Sequence, residues 1–365
     1  MIVLILLVYS GLLWIIGRFP QQRSELLAAL HLMVFVLYLG TAALPLLLLA
    51  GVVFYGPRWF YDQPRLMRGL QLLVAVAWLW IGYRLLFYQG LNGLLQAVGG
   101  PLLPTLAPVV YSWGLSSLML QLLHYLQITR QAPGEAHRFS DYLAWLFFLP
   151  ALTAGVLVDF YPVQTQLQSS QSLSINRSHG LRLASAALKG AVAWALFPWL
   201  QVPWEQWLTL GRLDQVLTAA LSGVVLYVCL SGAADFAIVM GHWVGLRLPE
   251  NFVYPFAQGH LLGFWEQWHR TLRQRLMELV YLPMAHLPRL RGLAFGGMMG
   301  LWGLWYGPHW HYLVGGLCMG LGLALAYRYS PSSERLASSH WSVYVAACVG
   351  VSVILWPLWL FLGMR

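Results

Sequence analysis

Apolar runs long enough to cross a bilayer recur along this chain, and they constrain its fold more than any single motif does. Windows of about 17 to 25 residues, the span of a membrane helix, lie near residues 1–17, 26–55, 69–91, 105–128, 142–160, 183–200, 215–240, 292–327 and 342–362. Hydrocarbon offers no water to the backbone, so such runs must satisfy their own hydrogen bonds as helices. Two of them exceed one crossing. The run 26–55 carries Pro45 and is expected to bend or double, and 292–327 contains Gly307 and Pro308 and is expected to break into two helices. The fold class expected is an all-α polytopic membrane protein with about 9 to 11 membrane helices, some of them partial. Composition agrees, since the 365 residues are 59% hydrophobic and 9% charged, where soluble domains are about a quarter charged. Residues 1–17 have no charge before the apolar run and no small-residue cleavage site after it, which favours a retained first span over a signal peptide. With no internal repeat and no linker-like boundary, one membrane domain over residues 1–365 is the expectation.

Formal net charge is +9, and Lys189 is the only lysine. The arginines sit in short connections such as "RQAPGEAHR" (130–138) and the turn near Arg289, so the basicity suits lipid headgroups and no nucleic-acid partner is expected. Arginines flank both ends of the second run, Arg18 and Arg23 before it and Arg58, Arg65 and Arg68 after it, which leaves orientation open. Cys229, Cys318 and Cys348 lie far apart in apolar surroundings without CxxC spacing. They read as small core residues and not as a disulfide framework or metal site.

Three segments interrupt the apolar pattern. "LNGLLQAVGGPLLP" (91–104) has the Gly/Pro-rich apolar character of a re-entrant or interfacial piece. "QTQLQSSQSLSINRSH" (164–179) reads as an aqueous loop. In "FWEQWHRTLRQRLMELVYLP" (264–283), apolar residues recur at helical spacing with Arg270, Arg273 and Arg275 between them, the pattern of an amphipathic helix lying in the interface.

Ionisable groups in apolar runs are costly and point either to structural pairing or to function. Asp235 in "LSGAADFAIVMG" fits both readings equally. Arg84 and Lys189 suit snorkelling or pairing. His269 lies three residues after Glu266, and on one helix face that carboxylate would orient the imidazole and raise its basicity, as a general base requires. Further on, "GLWYGPHWHYLVGG" (303–316) places His309 just after Pro308, a residue suited to the first helical position, so His309 falls near the positive end of a new helix where neutral imidazole is favoured. His311 would point about 200° away from His309 on that helix, so one of the two at most faces a small site and no metal pair forms there. Walker A, GxSxG, HExxH and EF-hand patterns are missing, which leaves nucleotide-driven pumps and the common hydrolases without a foothold. A small-solute transporter is disfavoured by the missing repeat.

Four of these segments together resemble the membrane-bound O-acyltransferase (MBOAT) family, in particular its bacterial branch of alginate O-acetylation and teichoic acid D-alanylation proteins. The stretch 235–283 keeps Asp235, Pro249, Glu250, Asn251, Phe252, Pro255, Phe264, Trp265, Trp268, His269, Leu272 and Pro283 in the order and spacing of that branch. Upstream, Gly114, Ser116, Gln121 and Tyr125 in "SWGLSSLMLQLLHYLQITR" (112–130) are similar to another family helix, and "FLPALTAGVLVDF" (148–160) to a third segment, with Val156 where a proline is expected. The resemblance covers about residues 105–327. In 303–316 the family carries Gly-Leu-Trp-His-Gly, whose histidine is held essential for acyl transfer. This chain has Tyr306 there, preceded by Trp305 and followed by His309 one turn later.

The resemblance implies an MBOAT-like helical bundle with interfacial helices and a central tunnel, in a bacterial cytoplasmic membrane. It implies transfer of an acyl group from a thioester, acyl-CoA or an acyl carrier protein, to a hydroxyl of a cell-envelope glycan or lipid-linked acceptor, with no bound cofactor or metal. Membrane lipids, the acyl carrier protein and a periplasmic or extracellular acyl-handling protein are the implied partners. Three outcomes follow from Tyr306: His309 serves as the base, Tyr306 and His269 form a modified site, or the chain is a catalytically silent membrane scaffold or lipid-binding protein. The first is preferred here, with His309, His269 and Tyr306 as catalytic candidates and Asp235, Asn251, Trp265, Trp268, Glu266, Trp305, His311 and Gln121 binding substrate or supporting them.

Overall fold

The structure, a computed structural model, describes residues 2–60, 62–78, 114–132, 137–169, 176–196, 211–258, 261–306 and 310–329, together with Gln96, Glu135 and Thr209. Arg84, His309, Cys348, nearly all of 91–104 and the window 342–362 lie outside the described residues. The described residues are mostly helical, with no strand among them. Helices α1 (Ile2–Ile16), α2 (Arg23–Leu39) and α3 (Ala43–Trp59) are followed by α4 (64–78), α5 (Leu115–Gln131), α6 (Phe139–Leu146), α7 (Leu149–Ala154), α8 (Phe160–Gln168) and α9 (Arg177–Leu196). Then come α10 (Arg212–Trp243), α11 (Leu261–Gln267), α12 (Arg270–Leu276), α13 (Leu282–Ala285), α14 (Arg291–Leu304) and α15 (Trp310–Tyr329).

Two stretches among the described residues are helical, long and apolar enough to cross a membrane, Arg23–Trp59 and Leu221–Trp243, with shorter apolar helices at Leu7–Ile16, Phe139–Ala154 and Tyr312–Ala324. The run 26–55 does double, but at Gly40 and not at Pro45. Gly40 takes φ 57° at the end of α2 and a 3₁₀ turn over Gly40–Ala42 leads into α3. Pro45 lies in the first turn of α3, where a missing N–H costs nothing. The window 142–160 is no single span, because α6 and α7 are separate short helices and 156–159 is irregular. Part of the expected aqueous loop is helical too, since 164–168 complete α8. Cys229 and Cys318 are unpaired thiols, and Cys318 is exposed, not in the core.

The chain divides into two compact units, each assembled from separated stretches. The first comprises residues 1–82, 109–184 and 233–249. Its core is aromatic: Tyr125 meets Tyr142 at 4.6 Å between ring centroids and Phe160 at 5.2 Å, while Phe54 and Trp145 close the cluster. The polar tips are satisfied, with Tyr142 Oη donating to the Ala50 carbonyl at 3.0 Å and Trp145 Nε1 to that of Val158 at 2.9 Å. Arg23 is fully buried, with no carboxylate partner among the described residues. Its guanidinium donates instead to the carbonyls of Val244, Gln166, Leu167 and Ser169, so backbone dipoles solvate the charge. Gly245, at φ 80°, makes room, for a Cβ there would stand 1.9 Å from Arg23 Nη1.

The second unit comprises residues 83–108, 185–232 and 250–365. Its most intimate pairing is α14 against α15, the two halves of the run expected to break near Gly307. Glycines let their backbones touch: a Cβ on Gly303 would lie 2.1 Å from the Tyr312 carbonyl, and one on Gly316 would lie 2.1 Å from that of Met299. Small residues at such a crossing are the usual device for packing helices where no hydrophobic force separates helix from lipid.

Candidate functional site

The site is built where α11 stops. The 264–283 segment, which its spacing presents as one amphipathic helix, is interrupted at Trp268 and His269, and a π-helical turn over Met277–Tyr281 interrupts it again before α13. His269 takes φ 48° and ψ 52°, a left-handed conformation uncommon for a side chain of its size. Asn251 holds it there from 18 residues upstream. The Asn251 carbonyl accepts the Arg270 N–H at 2.9 Å, and its Oδ1 accepts the Thr271 N–H at 3.3 Å and the Thr271 hydroxyl at 2.9 Å. The Val253 N–H donates to the Gln267 carbonyl at 3.2 Å. One extended strap therefore supplies partners to the end of α11 and the start of α12, groups that a helix cannot satisfy itself, and the chain between must turn sharply.

The turn sends the two side chains inward. Trp268 is fully buried, stacked on Phe264 at 5.3 Å, edge-on to Phe252 at 5.4 Å and tilted against Tyr227 at 6.0 Å. Its Nε1–H donates to Tyr306 Oη at 3.1 Å. His269, 1% exposed, lies between the rings of Phe252 (5.6 Å) and Trp305 (6.0 Å). Its Nδ1 is buried without a hydrogen-bond partner among the described residues. Burial pushes the imidazole down to about 3, so it is neutral at physiological pH. Trp265 meets Trp302 edge-on at 5.0 Å, and Trp302 meets Tyr306 edge-on at 5.3 Å. Trp302, 1% exposed, also keeps a buried Nε1–H without a partner among the described residues.

Trp265, Trp268, His269, Trp305 and Tyr306 thus come together, with Asn251 as the brace behind His269. The expected pairing of Glu266 with His269 does not form. Glu266 is exposed while His269 is buried, because the left-handed turn takes His269 off the helix face on which three-residue spacing would have aligned them. His309 lies outside the described residues, and of His311 only the backbone, in the first turn of α15, is described. Asp235 and Gln121 belong to the first unit. Asp235 pairs with Arg182 at 3.7 Å, two turns before His242, whose ring stacks on His179 at 3.6 Å. Gln121 is buried on α5 with an Oε1 that has no partner among the described residues. Trp302 was not singled out from the sequence, although "WGLWY" places it four residues before Tyr306, on the same helix face. Among the described residues no three His, Cys, Asp or Glu side chains gather as a metal site would require.

No protein-family model matches the chain. Curated relatives do. It is 27% identical over 207 residues to a peptidoglycan O-acetyltransferase of Helicobacter pylori, 54% of this chain and 39% of that protein. Over 351 residues it is 25% identical to a probable alginate O-acetylase of Pseudomonas aeruginosa, 88% of this chain and 64% of that protein. A teichoic acid D-alanyltransferase of Streptococcus thermophilus is 22% identical over 236 residues, 58% of this chain and 56% of that protein. These likenesses agree with the resemblance of the chain to the membrane-bound O-acyltransferases. Its matches span less than two thirds of the length of these three relatives. With the long apolar helices described above, that likeness supports a membrane location.

Proposed function

We propose that the chain is a membrane O-acyltransferase that moves an acyl group from a thioester donor, acyl-CoA or an acyl carrier protein, to a hydroxyl on a cell-envelope glycan or lipid-linked acceptor. The observation that carries this reading is similarity to three enzymes named for different polymers, peptidoglycan, alginate and teichoic acid, which share acyl transfer. Chemistry at the Trp268, His269 and Tyr306 cluster is compatible with it. In the proposed step a base removes the acceptor hydroxyl proton, the oxygen attacks the thioester carbonyl carbon, and collapse of the tetrahedral adduct expels a thiolate that takes up the proton. Ester and thiol are the products. An imidazole depressed to about 3 is a weak base, which supports His269 in positioning donor or acceptor and leaves the base role to His309.

The same proposal carries a bundle of about 9 to 11 membrane helices around a central tunnel in a bacterial cytoplasmic membrane, with an acyl-handling partner on the outer face. Asp235 and Asn251 serve as supports. The test is chromosomal deletion, with alkali-labile acetate and D-alanine measured on purified envelope polymers, followed by complementation with His309→Ala and His269→Ala. Loss of one ester on deletion and its failure to return with His309→Ala is the expected result. Unchanged esters on deletion would reject the enzyme, and full restoration by His309→Ala would reject the base.

A further inference from the structure

Tyr306 and Trp302 are two donors at the end of α14 with protons unspoken for among the described residues. The phenolic oxygen of Tyr306 already accepts the Trp268 Nε1–H at 3.1 Å. Its own proton is therefore turned elsewhere, and no acceptor for it occurs among the described residues. An accepted hydrogen bond also polarises the O–H and makes it a better donor. One turn back, Trp302 is buried with its Nε1–H unpartnered among the described residues and its ring edge-on to Tyr306 at 5.3 Å. Indole can only donate, and an orphaned buried donor is costly unless something fills its place. A phenol in this state is suited to giving a hydrogen bond and poorly suited to taking a proton. What fits the pair is an acceptor that gains negative charge during reaction.

We propose that Tyr306 Oη–H and Trp302 Nε1–H bind the carbonyl oxygen of the acyl thioester and hold the negative charge it acquires in the tetrahedral adduct. This rests on the acyltransferase reading above and deepens it. As the acceptor oxygen bonds to the carbonyl carbon, the C=O π pair moves onto oxygen, between the two donors. When that pair returns, the C–S bond breaks and the thiolate leaves. No proton passes through Tyr306, so the side chain at the family's histidine position acts as an electrophile here and the base is a different residue. Donors fixed in advance around such an oxygen are among the largest contributions to acyl transfer.

The test uses the full chain and two readouts. Membranes from expressing cells are supplied with radiolabelled S-acetyl-N-acetylcysteamine, the terminal portion common to coenzyme A and carrier-protein arms, and acetyl incorporation into envelope polymer is timed. Separately, the purified chain is loaded with the non-cleavable ketone analogue of that thioester, ¹³C-labelled at the carbonyl, and the infrared band of the bound carbonyl is recorded. Tyr306→Phe is expected to slow transfer about 10² to 10³-fold, the loss typical of one such donor, with little change in half-saturating thioester. Trp302→Phe should slow it less. In both variants the bound carbonyl band should move to higher frequency than in the wild type.

Because Tyr306→Phe strands the Trp268 N–H, a Trp268→Phe/Tyr306→Phe double variant, which removes both partners together, separates folding from chemistry: it should fold like the wild type and remain slow. Wild-type rate, or wild-type carbonyl frequency, in both Tyr306→Phe and Trp302→Phe would overturn the assignment. Wild-type membranes that transfer no acetyl, while the analogue's band still responds to Tyr306→Phe, would instead reject the acyltransferase reading and leave the two donors as a carbonyl-binding site.

Discussion

Arg23 and His269 are both buried titratable side chains, yet the protein treats them in opposite ways. Around Arg23, four backbone carbonyls converge on one guanidinium and a glycine clears space for it. At the break between α11 and α12, the backbone is braced by Asn251 while the side-chain atoms His269 Nδ1 and Trp302 Nε1 are left without partners among the described residues. At Arg23 both terminal nitrogens of the guanidinium are satisfied, although Nε has no partner among the described residues, and the charge held in this way specifies how segments distant in sequence meet. Unsatisfied polar atoms add no stability, and each costs about 1 to 3 kcal/mol, so they persist where a ligand or reacting group completes them. The two places differ in what the side chains meet, backbone carbonyls around Arg23 and aromatic rings around His269.

The comparison can be broken most forcefully at Arg23. Arg23→Ala strands several buried carbonyls at about 1 to 3 kcal/mol each, a large share of the 5 to 15 kcal/mol that typically holds a domain together. The variant should fail to accumulate in membranes, and normal abundance on immunoblots would show that the guanidinium is dispensable. Next comes Gly303→Ala, whose new methyl must push α15 off α14 because the obstacle is backbone. A loss of about 2 to 4 kcal/mol is expected, in the upper range of point substitutions. Thermal midpoints in detergent measure it, and a wild-type midpoint would mean that the two helices separate freely.

Protonation gives a graded test. His269 ordinarily titrates near 6.5 but is held down to about 3 in the fold. Below pH 6.5 the unfolded chain takes a proton that the folded chain refuses, so stability should fall as pH drops toward 3, by about 1.4 kcal/mol per pH unit from this group. No contribution is expected above pH 6.5. His269→Gln should flatten that slope in a pH series of detergent unfolding curves; an unchanged slope would assign the acid sensitivity elsewhere.

A smaller effect is expected at Asp235. Its pairing with Arg182 at 3.7 Å is partly exposed, so Asp235→Asn should cost about 1 kcal/mol or less. If Asp235 only holds helices, acyl transfer should stay within a few-fold of wild type, whereas a loss near a hundredfold would move this residue to the chemical side of the comparison. Smallest of all is Glu266→Gln. An exposed side chain away from the histidine should change stability by no more than about 0.5 kcal/mol and leave transfer unaltered, as the same two assays would register.

The helical character of the chain, the doubling of the second apolar run and the break of the run containing Gly307 and Pro308 were all legible before any coordinates. So was the grouping of Trp265, Trp268 and His269, carried by their resemblance to a known family. The break at His269 was not, because residues 264, 265, 268, 272 and 276 sit at helical spacing and local pattern favours one continuous helix. Hydrogen bonds accepted by Asn251 decide against it, and pattern carries no record of a partner 19 to 20 residues away. The Glu266 pairing fails for the same reason. Trp302 could have been found from its four-residue spacing to Tyr306, but an orphaned indole N–H is visible only once its surroundings are known.

Helix or strand, and membrane or water, are questions of hydrophobic period and run length, and these are summed along neighbouring residues. The sequence alone therefore determined that this protein is helical and rich in segments of bilayer length, and it placed Tyr306 in the stretch that resembles the Trp-His-Gly motif of a known family. Only the tertiary structure decided that Arg23 is solvated by carbonyls up to 221 residues away, that Asn251 bends the chain at His269, and that Tyr306 receives a proton's hydrogen bond while keeping its own to give. Those outcomes depend on which polar atoms meet across the folded chain, and burial makes each meeting, or its absence, worth more than any local preference.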